Sequence, residues 1–383
     1  MTAKYGIDIE KEVNICYTVI TSKNKDVIIM FRKISEGDVY TTKESKMTSG
    51  PRVALLPDGT LACSFMLNSK SGANDFVPMI AYSKDGEVWS EAREIYPHLT
   101  GKKSAFISIR NTHDGRVSLG GKMWDIAYPG EAFWSDEAGG MKENSLVYAI
   151  SDDGKDFPDL SEVAVPFYAS AENPGGALVD ADGSVTIIYS PYPTIDKKEE
   201  VDTCCMVKLT NKDGTFKGEK FAVVDAPCLY AESWIERLSD GRLFVSTWQT
   251  ASDDSSRYLI SSDNGATFSR PAAQPFRGQS TGICAGRDGD VYIAYNQRKE
   301  GTVGVWLAHE KPTDEDCGMI CNEPVWAAES ATRSESSGDF TEWTDFSFGE
   351  PHVKLLPDGT LLVVLWYEQG EVRGISYVRL VEA

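Results

Sequence analysis

Two glutamates carry the first suggestion of chemistry in this chain. Glu232 opens "ESWIERLSDGRLFVSTW" and Glu350 opens "EPHVKLLPDGTLLVVLWY", each eight residues before the aspartate of an Asp-Gly pair. Paired carboxylates do general acid, general base or nucleophilic work on glycosidic bonds. Trp234 and His352 stand six residues before the same two aspartates, and Arg52 stands six before Asp58. Two acids, an imidazole, a guanidinium and an indole suit a sugar, whose pyranose face stacks on an aromatic ring. The plainer reading makes each acid a solvated residue at the start of a strand.

The elements that would position these groups recur along the chain. An apolar run, an Asp-Gly pair and a second apolar run appear six times, with the aspartates at Asp58, Asp114, Asp182, Asp240, Asp288 and Asp358. Asp-Gly between two such runs signals a hairpin, because glycine accepts the positive φ of a tight turn. Runs such as "LLVVLWY" are apolar on successive residues, which implies burial on both faces. Further strand-like runs, "FVPMIAYS", "SLVYAIS", "RYLISS" and "GISYVRL", lie between the hairpins, and no amphipathic helical stretch competes. Six units of four strands predict an all-β chain folded as a six-bladed β-propeller of four-stranded antiparallel blades. One domain is expected over residues 1–383. Roughly the first 46 residues, with "VNICYTVIT" and "KDVIIMFRKI", are expected to close the last blade.

The repeat also locates the mouth of such a propeller. Eight residues before each aspartate stand Gly50, Phe106, Pro174, Glu232, Ser280 and Glu350; six before stand Arg52, Ser108, Gly176, Trp234, Gly282 and His352. Strand alternation puts the two rings on one face, converging where inner strands crowd together.

Bulk properties narrow the partners. The formal charge of −20 and pI near 4.7 argue against a nucleic-acid or anionic-membrane partner, both of which need a basic footprint. No signal-peptide core or membrane-length apolar run is present, so a cytoplasmic location is expected. The eight cysteines then read as reduced thiols; Cys204 and Cys205 are adjacent and do not readily bridge in a strand. Cys317 and Cys321 in "CGMIC" form half a metal site with no second pair, so neither metal nor other cofactor is expected. A carbohydrate is the expected partner, and a homo-oligomer is compatible with the sequence.

A second motif points to a family. "SSDNGATF" reads Ser-x-Asp-x-Gly-x-x-aromatic, and "SKDGEVW" and "SDDGKDF" are versions one residue shorter. This resembles the Asp-box, or BNR repeat, of the sialidase superfamily, and the resemblance covers essentially the whole chain. It implies that Asp85, Asp153 and Asp263 are structural residues at blade edges. It also implies an exo-acting glycoside hydrolase working on a terminal sugar, acidic or not. "ESWIERLSDGRL" has the spacing of the family's fourth-blade motif, which implies that Glu232 is the base activating a tyrosine nucleophile. Arg52 and Asp75 lie 23 residues apart, close to the family's spacing from arginine to catalytic aspartate, so the resemblance implies Asp75 as acid/base.

The chain departs from the family in its arginines. Arg52 comes two residues later than the family's "FRIP" arginine, and Trp248 and Gln249 stand where a second is expected. The fifth-blade candidates are Arg287 and Arg298, and no tyrosine falls in an unambiguous motif. An incomplete triad, with Glu350 at the mouth, argues against sialic acid itself. Trp124 and Tyr192, on long segments after the second and third inner hairpins, form a sugar platform or pack away. Two alternatives stay open: a lyase of uronate glycans with His352 as base and Arg52 neutralising the carboxylate, and a non-catalytic propeller that binds glycan or protein.

Overall fold

The computed structural model describes residues 31–44, 46–135, 137–165, 167, 170–195, 205–223, 230–249, 255–331 and 346–382. "VNICYTVIT" and Cys204 lie outside the described residues, as does the side chain of Ser280. The described residues form six antiparallel blade sheets, each laid out from an inner strand to an outer one, and a small two-stranded sheet of Trp134–Ser135 with Gly140–Met141; no helix occurs among them. The six are the blades of a six-bladed β-propeller. The inner strands are Met47–Leu55 in blade 1, Lys103–Asn111 in blade 2, and the split pair Ala171–Glu172 and Ala177–Val179 in blade 3. Tyr230–Arg237, Gln279–Ala285 and Phe348–Leu355 are those of blades 4 to 6. Blade 6 is completed by Leu361–Gln369, Val372–Glu382 and the early strand Phe31–Thr42, which pairs antiparallel along Val372–Glu382.

Each Asp-Gly pair turns an inner strand into the second strand of its blade. In five blades the turn is closed as in blade 1, where Gly59 N–H donates to Leu56 O at 2.9 Å and Leu56 N–H to Thr60 O at 2.7 Å. Blade 5 uses a tighter turn, with Asp288 and Gly289 both left-handed at φ 54° and 81°. Asn and Asp tolerate that region better than other non-glycine residues.

The apolar residues gather between blades and not along the axis. Six clusters fill the six blade interfaces, including the one joining blade 6 to blade 1, where Val364 and Tyr377 pack with Val53 and Phe65. The three Ser-Asp-Gly turns pin these interfaces from outside. Gly86, Gly154 and Gly265 N–H each donate to the Ser83, Ser151 or Ser261 hydroxyl at 2.8, 2.9 and 2.8 Å. The aromatic that follows each, Trp89, Phe157 and Phe268, enters an interblade cluster.

Ser261 Oγ donates to Asp263 Oδ1 at 2.8 Å and accepts from Gly265, so Ser261→Ala leaves a buried N–H without its partner. Denaturant unfolding of that variant is expected to show a loss of about 1–3 kcal/mol. A loss within error would mean that the turn contributes nothing to the blade.

Candidate active site

The mouth lies at the entry ends of the inner strands, and a defect in pairing shapes it. Inner strands of blades 1, 4 and 6 each carry a β-bulge there, between Ser49 and Arg52, Ala231 and Trp234, and Gly349 and His352. A bulge sets two residues against one on the partner strand and re-aims a side chain. The first bulged residue is left-handed in every case: Gly50 at φ 56°, Glu232 at 52° and Glu350 at 46°. Gly50 is explained by space as well as by φ, since a Cβ there would stand 2.5 Å from Phe106 and 2.6 Å from Met66. The two glutamates hold the same backbone with a side chain attached. The expected alternation of the two rings on one face therefore breaks at the bulge: the −8 and −6 positions are separated by it.

Carboxylates from neighbouring blades cap the bulges. Gly50 N–H donates to Glu350 Oε2 at 2.8 Å, joining blade 6 to blade 1. Glu232 N–H donates to Glu172 Oε2 at 2.8 Å, joining blade 3 to blade 4. Glu172 is held in turn by Lys122 Nζ at 3.2 Å, and Lys122 is itself buried over the rings of Phe106 and Trp124. Glu172 and Lys122 were not among the residues expected from the sequence. Lys122 is opposite Phe106 on the second strand of blade 2, eight residues after Asp114, so a forward count along the repeat would have reached it. Glu172 lies two residues before the ring position of blade 3 and carries no such signal.

Beneath the glutamates the axis is plugged. Trp234 stacks on His352 with ring centres 5.4 Å apart, and the guanidinium of Arg52 lies 5.0 Å and that of Arg110 5.5 Å from the indole. Trp234 is 1% exposed and so has no open face for a sugar, contrary to the expectation of a stacking platform. His352 Nδ1 accepts from Val53 N–H at 3.2 Å, and burial, then Arg52, Lys354 and Arg110, hold its pKa well below the usual imidazole value. It is a neutral packing group at the axis, not an exposed base. Arg52 Nη1 donates to Pro51 O and Glu350 O, both at 2.8 Å, so it too faces into the plug.

The remaining expected residues are placed as follows. Trp124 is buried in an aromatic floor with Phe76 and Phe106, donating its indole N–H to Lys142 O at 3.1 Å. Tyr192 joins the same floor, and burial, then Glu172 and Glu232, push its phenol well above the usual range. Both belong to the walls and not to an exposed platform. Trp248 and Gln249 end the second strand of blade 4, half-buried beside Ala231 and Tyr230, with Gln249 Oε1 accepting from Arg257 at 3.2 Å. Asp75 lies on the connection after Leu61–Asn68, its Oδ1 accepting from Ser69 N–H at 3.1 Å within its own loop. Of the fifth-blade arginines, Arg298 is the one near the acids, and burial pulls it down to about 9 against the fields of Glu232 and Glu350. Arg287 borders a cleft with Lys354 and Pro357 at the turn end.

Glu350 is raised above the ordinary carboxyl range, chiefly by burial and against the pull of Arg52 and the Gly50 N–H. Glu232 lies within electrostatic reach of Arg52, Arg298 and Tyr192. The arrangement sets two glutamates over a buried floor.

No protein-family model matches the chain, and no curated protein sequence does. Solved structures do resemble it. A Dyadobacter fermentans protein of unknown function has a TM-score of 0.72 at 17% identity, over 92% of this chain and 99% of that one. The NanB sialidase of Streptococcus pneumoniae gives 0.56 at 13%, over 92% and 70%. A Penicillium chrysogenum α-L-arabinanase with bound arabinobiose gives 0.56 at 16%, over 92% and 98%. The fold is thus that of the sialidase-like β-propellers, a class whose solved members include glycoside hydrolases.

Removing one partner of a buried ion pair strands the other charge. Glu172→Ala, which also uncaps the Glu232 bulge, is expected to lose about 3 kcal/mol in denaturant unfolding. Glu172→Gln retains an acceptor for the bulge N–H and is expected to lose less. Equal losses would show that the cap is idle.

Proposed function

We propose that this protein is a glycoside hydrolase that cleaves a terminal sugar, using Glu232 and Glu350 at the propeller mouth. The observation that supports this most is the left-handed backbone shared by the two glutamates. Such a conformation costs a non-glycine residue about 1–3 kcal/mol, and strain of this kind collects at functional sites. Among the described residues the other non-glycine ones with positive φ, Ala222, Asn264 and Asp288, lie in turns and bends and not within strands. Two glutamates holding the left-handed conformation that blade 1 gives to Gly50 are what a site needing two aimed carboxylates would select. The fold is compatible with this chemistry, since both a sialidase and an arabinanase share it.

The environments of the two glutamates favour different roles. Glu350, raised by burial, holds its proton to higher pH and serves as the acid that protonates the glycosidic oxygen as the bond to the anomeric carbon breaks. Glu232 is the partner carboxylate, facing the positive charge that develops on the sugar ring; water then supplies the hydroxyl that bonds to the anomeric carbon and the proton that returns to Glu350. The buried floor beneath holds both aimed. Tyr192, with its phenol pushed up, is unsuited to be the nucleophile.

Aryl glycosides spanning sialyl, glucuronyl and neutral sugars test the reading. Turnover of one class is expected, falling by about 100-fold or more in Glu232→Gln and Glu350→Gln. In the wild type kcat/KM is expected to fall on an alkaline limb lying above the ordinary carboxyl range, as Glu350 loses its proton; Glu350→Gln should lack that limb. Glu232→Gly is expected to be inactive, with glycine relieving the backbone strain and so offsetting part of whatever stability the lost side chain contributes. Turnover unaffected by all three substitutions would refute the assignment.

A further inference from the structure

We propose that the turn end of the propeller axis carries a second binding site, which takes a small phosphate monoester with an apolar body. The proposal stands apart from the hydrolase reading, because none of its residues lies at the mouth. A cleft of about 350 Å³ opens there between blades, a volume in the range of small-molecule sites. It is built from the last residues of three inner strands, Leu55, Asn111 and Leu355 of blades 1, 2 and 6, and from Arg287 in the turn of blade 5. Asn111 ties blade 2 to blade 1: Leu55 N–H donates to its Oδ1 at 3.0 Å, and its Nδ2 donates to Leu55 O. Its amide is therefore occupied in fixing the wall. A Cβ on Gly359 would stand 3.4 Å from Arg287 Nη2, so the guanidinium reaches across to the blade 6 turn.

Charge selects the ligand. Lys354 lines the cleft with Arg287, two cations in a chain of net charge −20, and no carboxylate joins them among the described residues. Neither side chain makes a hydrogen bond or an ion pair among those residues. The acids nearby have closer partners. Asp58 is paired with Lys155 and Asp358 with Arg379. Glu236 is met by Arg110 at 3.1 Å, and Glu382 stands 2.9 Å from His309 Nδ1. Lys354 acts on Glu236, and Arg287 on Glu382, only as weaker fields behind those partners. Asp288, next to Arg287 in the chain, is exposed and does not line the cleft. Two like charges sharing one cleft repel each other, and a bound anion relieves that repulsion. A phosphate monoester brings a charge of about −1.5 to −2 and three acceptor oxygens, which suit one guanidinium and one ammonium together. Leu55, Leu355, Leu356 and Pro357 make the rest of the wall apolar, so the body that carries the phosphate is apolar too.

Isothermal titration calorimetry of the full-length protein at low ionic strength tests the site with phenyl phosphate, benzoate, phenol and inorganic phosphate. Phenyl phosphate is expected to bind saturably, about tenfold or more tighter than each of the other three. Arg287→Ala and Lys354→Ala are each expected to weaken it by about tenfold or more, with the circular dichroism spectrum unchanged. Arg287→Lys keeps the charge and is expected to weaken it less. The proposal is overturned by the absence of saturable binding, by equal binding of any of the other three compounds, or by an affinity for phenyl phosphate that both alanine variants retain. Glycoside turnover is no part of this readout, so failure of the hydrolase reading leaves the result intact.

Discussion

The site depends on one stack of side chains at the axis. Trp234 from blade 4 lies against His352 from blade 6, with Arg52 from blade 1 and Arg110 from blade 2 over its ring. Cations over an indole face are attracted by its quadrupole, and more strongly where water is excluded. The same guanidinium groups bond the backbone carbonyls next to the bulges: Arg52 takes Pro51 O and Glu350 O, and Arg110 takes Gly175 O and Ile235 O. Five blades are thereby joined through a plug that is polar, buried and directional. Shifting any one of them moves the bulges from which the glutamates project.

A polar axis is possible because the apolar core lies elsewhere. Each blade buries its faces against its two neighbours, so the six interblade clusters carry the hydrophobic stabilisation. The axis is left for groups whose charge must be paired instead of packed. Arg110 illustrates the rule, since its guanidinium also meets Glu236 at 3.1 Å and that carboxyl stays below its ordinary range despite burial, through Arg110 and His113. Gly282 shows how tight the fit is: a Cβ there would stand 2.3 Å from Pro351 O, so blade 5 abuts the blade 6 bulge directly.

Much of this architecture was legible because its signals are local. An Asp-Gly turn between apolar runs is specified by a few adjacent residues, and six of them count the blades. The positions of Glu232 and Glu350 in the repeat were legible for the same reason. The direction of side chains near them was not, because a bulge inserts one residue and alternation fails across it. Trp234, His352 and Arg52 therefore read as substrate-facing groups although they pack on one another. Trp124 and Tyr192 stand in polar-looking loops, and only the tertiary meeting with Phe76 and Phe106 shows that they are walls. Glu172 was hidden because its partner, the Glu232 N–H, belongs to another blade and turns out of the strand ladder only because of the bulge.

The two capped bulges also tie the placing of both glutamates to the ring. Glu350 bonds the Gly50 N–H across the junction where the last blade meets the first. That last blade is built from both ends of the described chain, Phe31–Thr42 lying on Val372–Glu382. The other cap, Glu172 to Glu232, spans blades 3 and 4 on the opposite side of the ring. One acid is thus positioned by contacts among consecutive segments, and the other only once the ring has closed. A carboxylate that caps a neighbouring blade with one oxygen is fixed in angle by that blade, so the Gly50 N–H of blade 1 holds the Glu350 carboxylate across the junction that closes the ring.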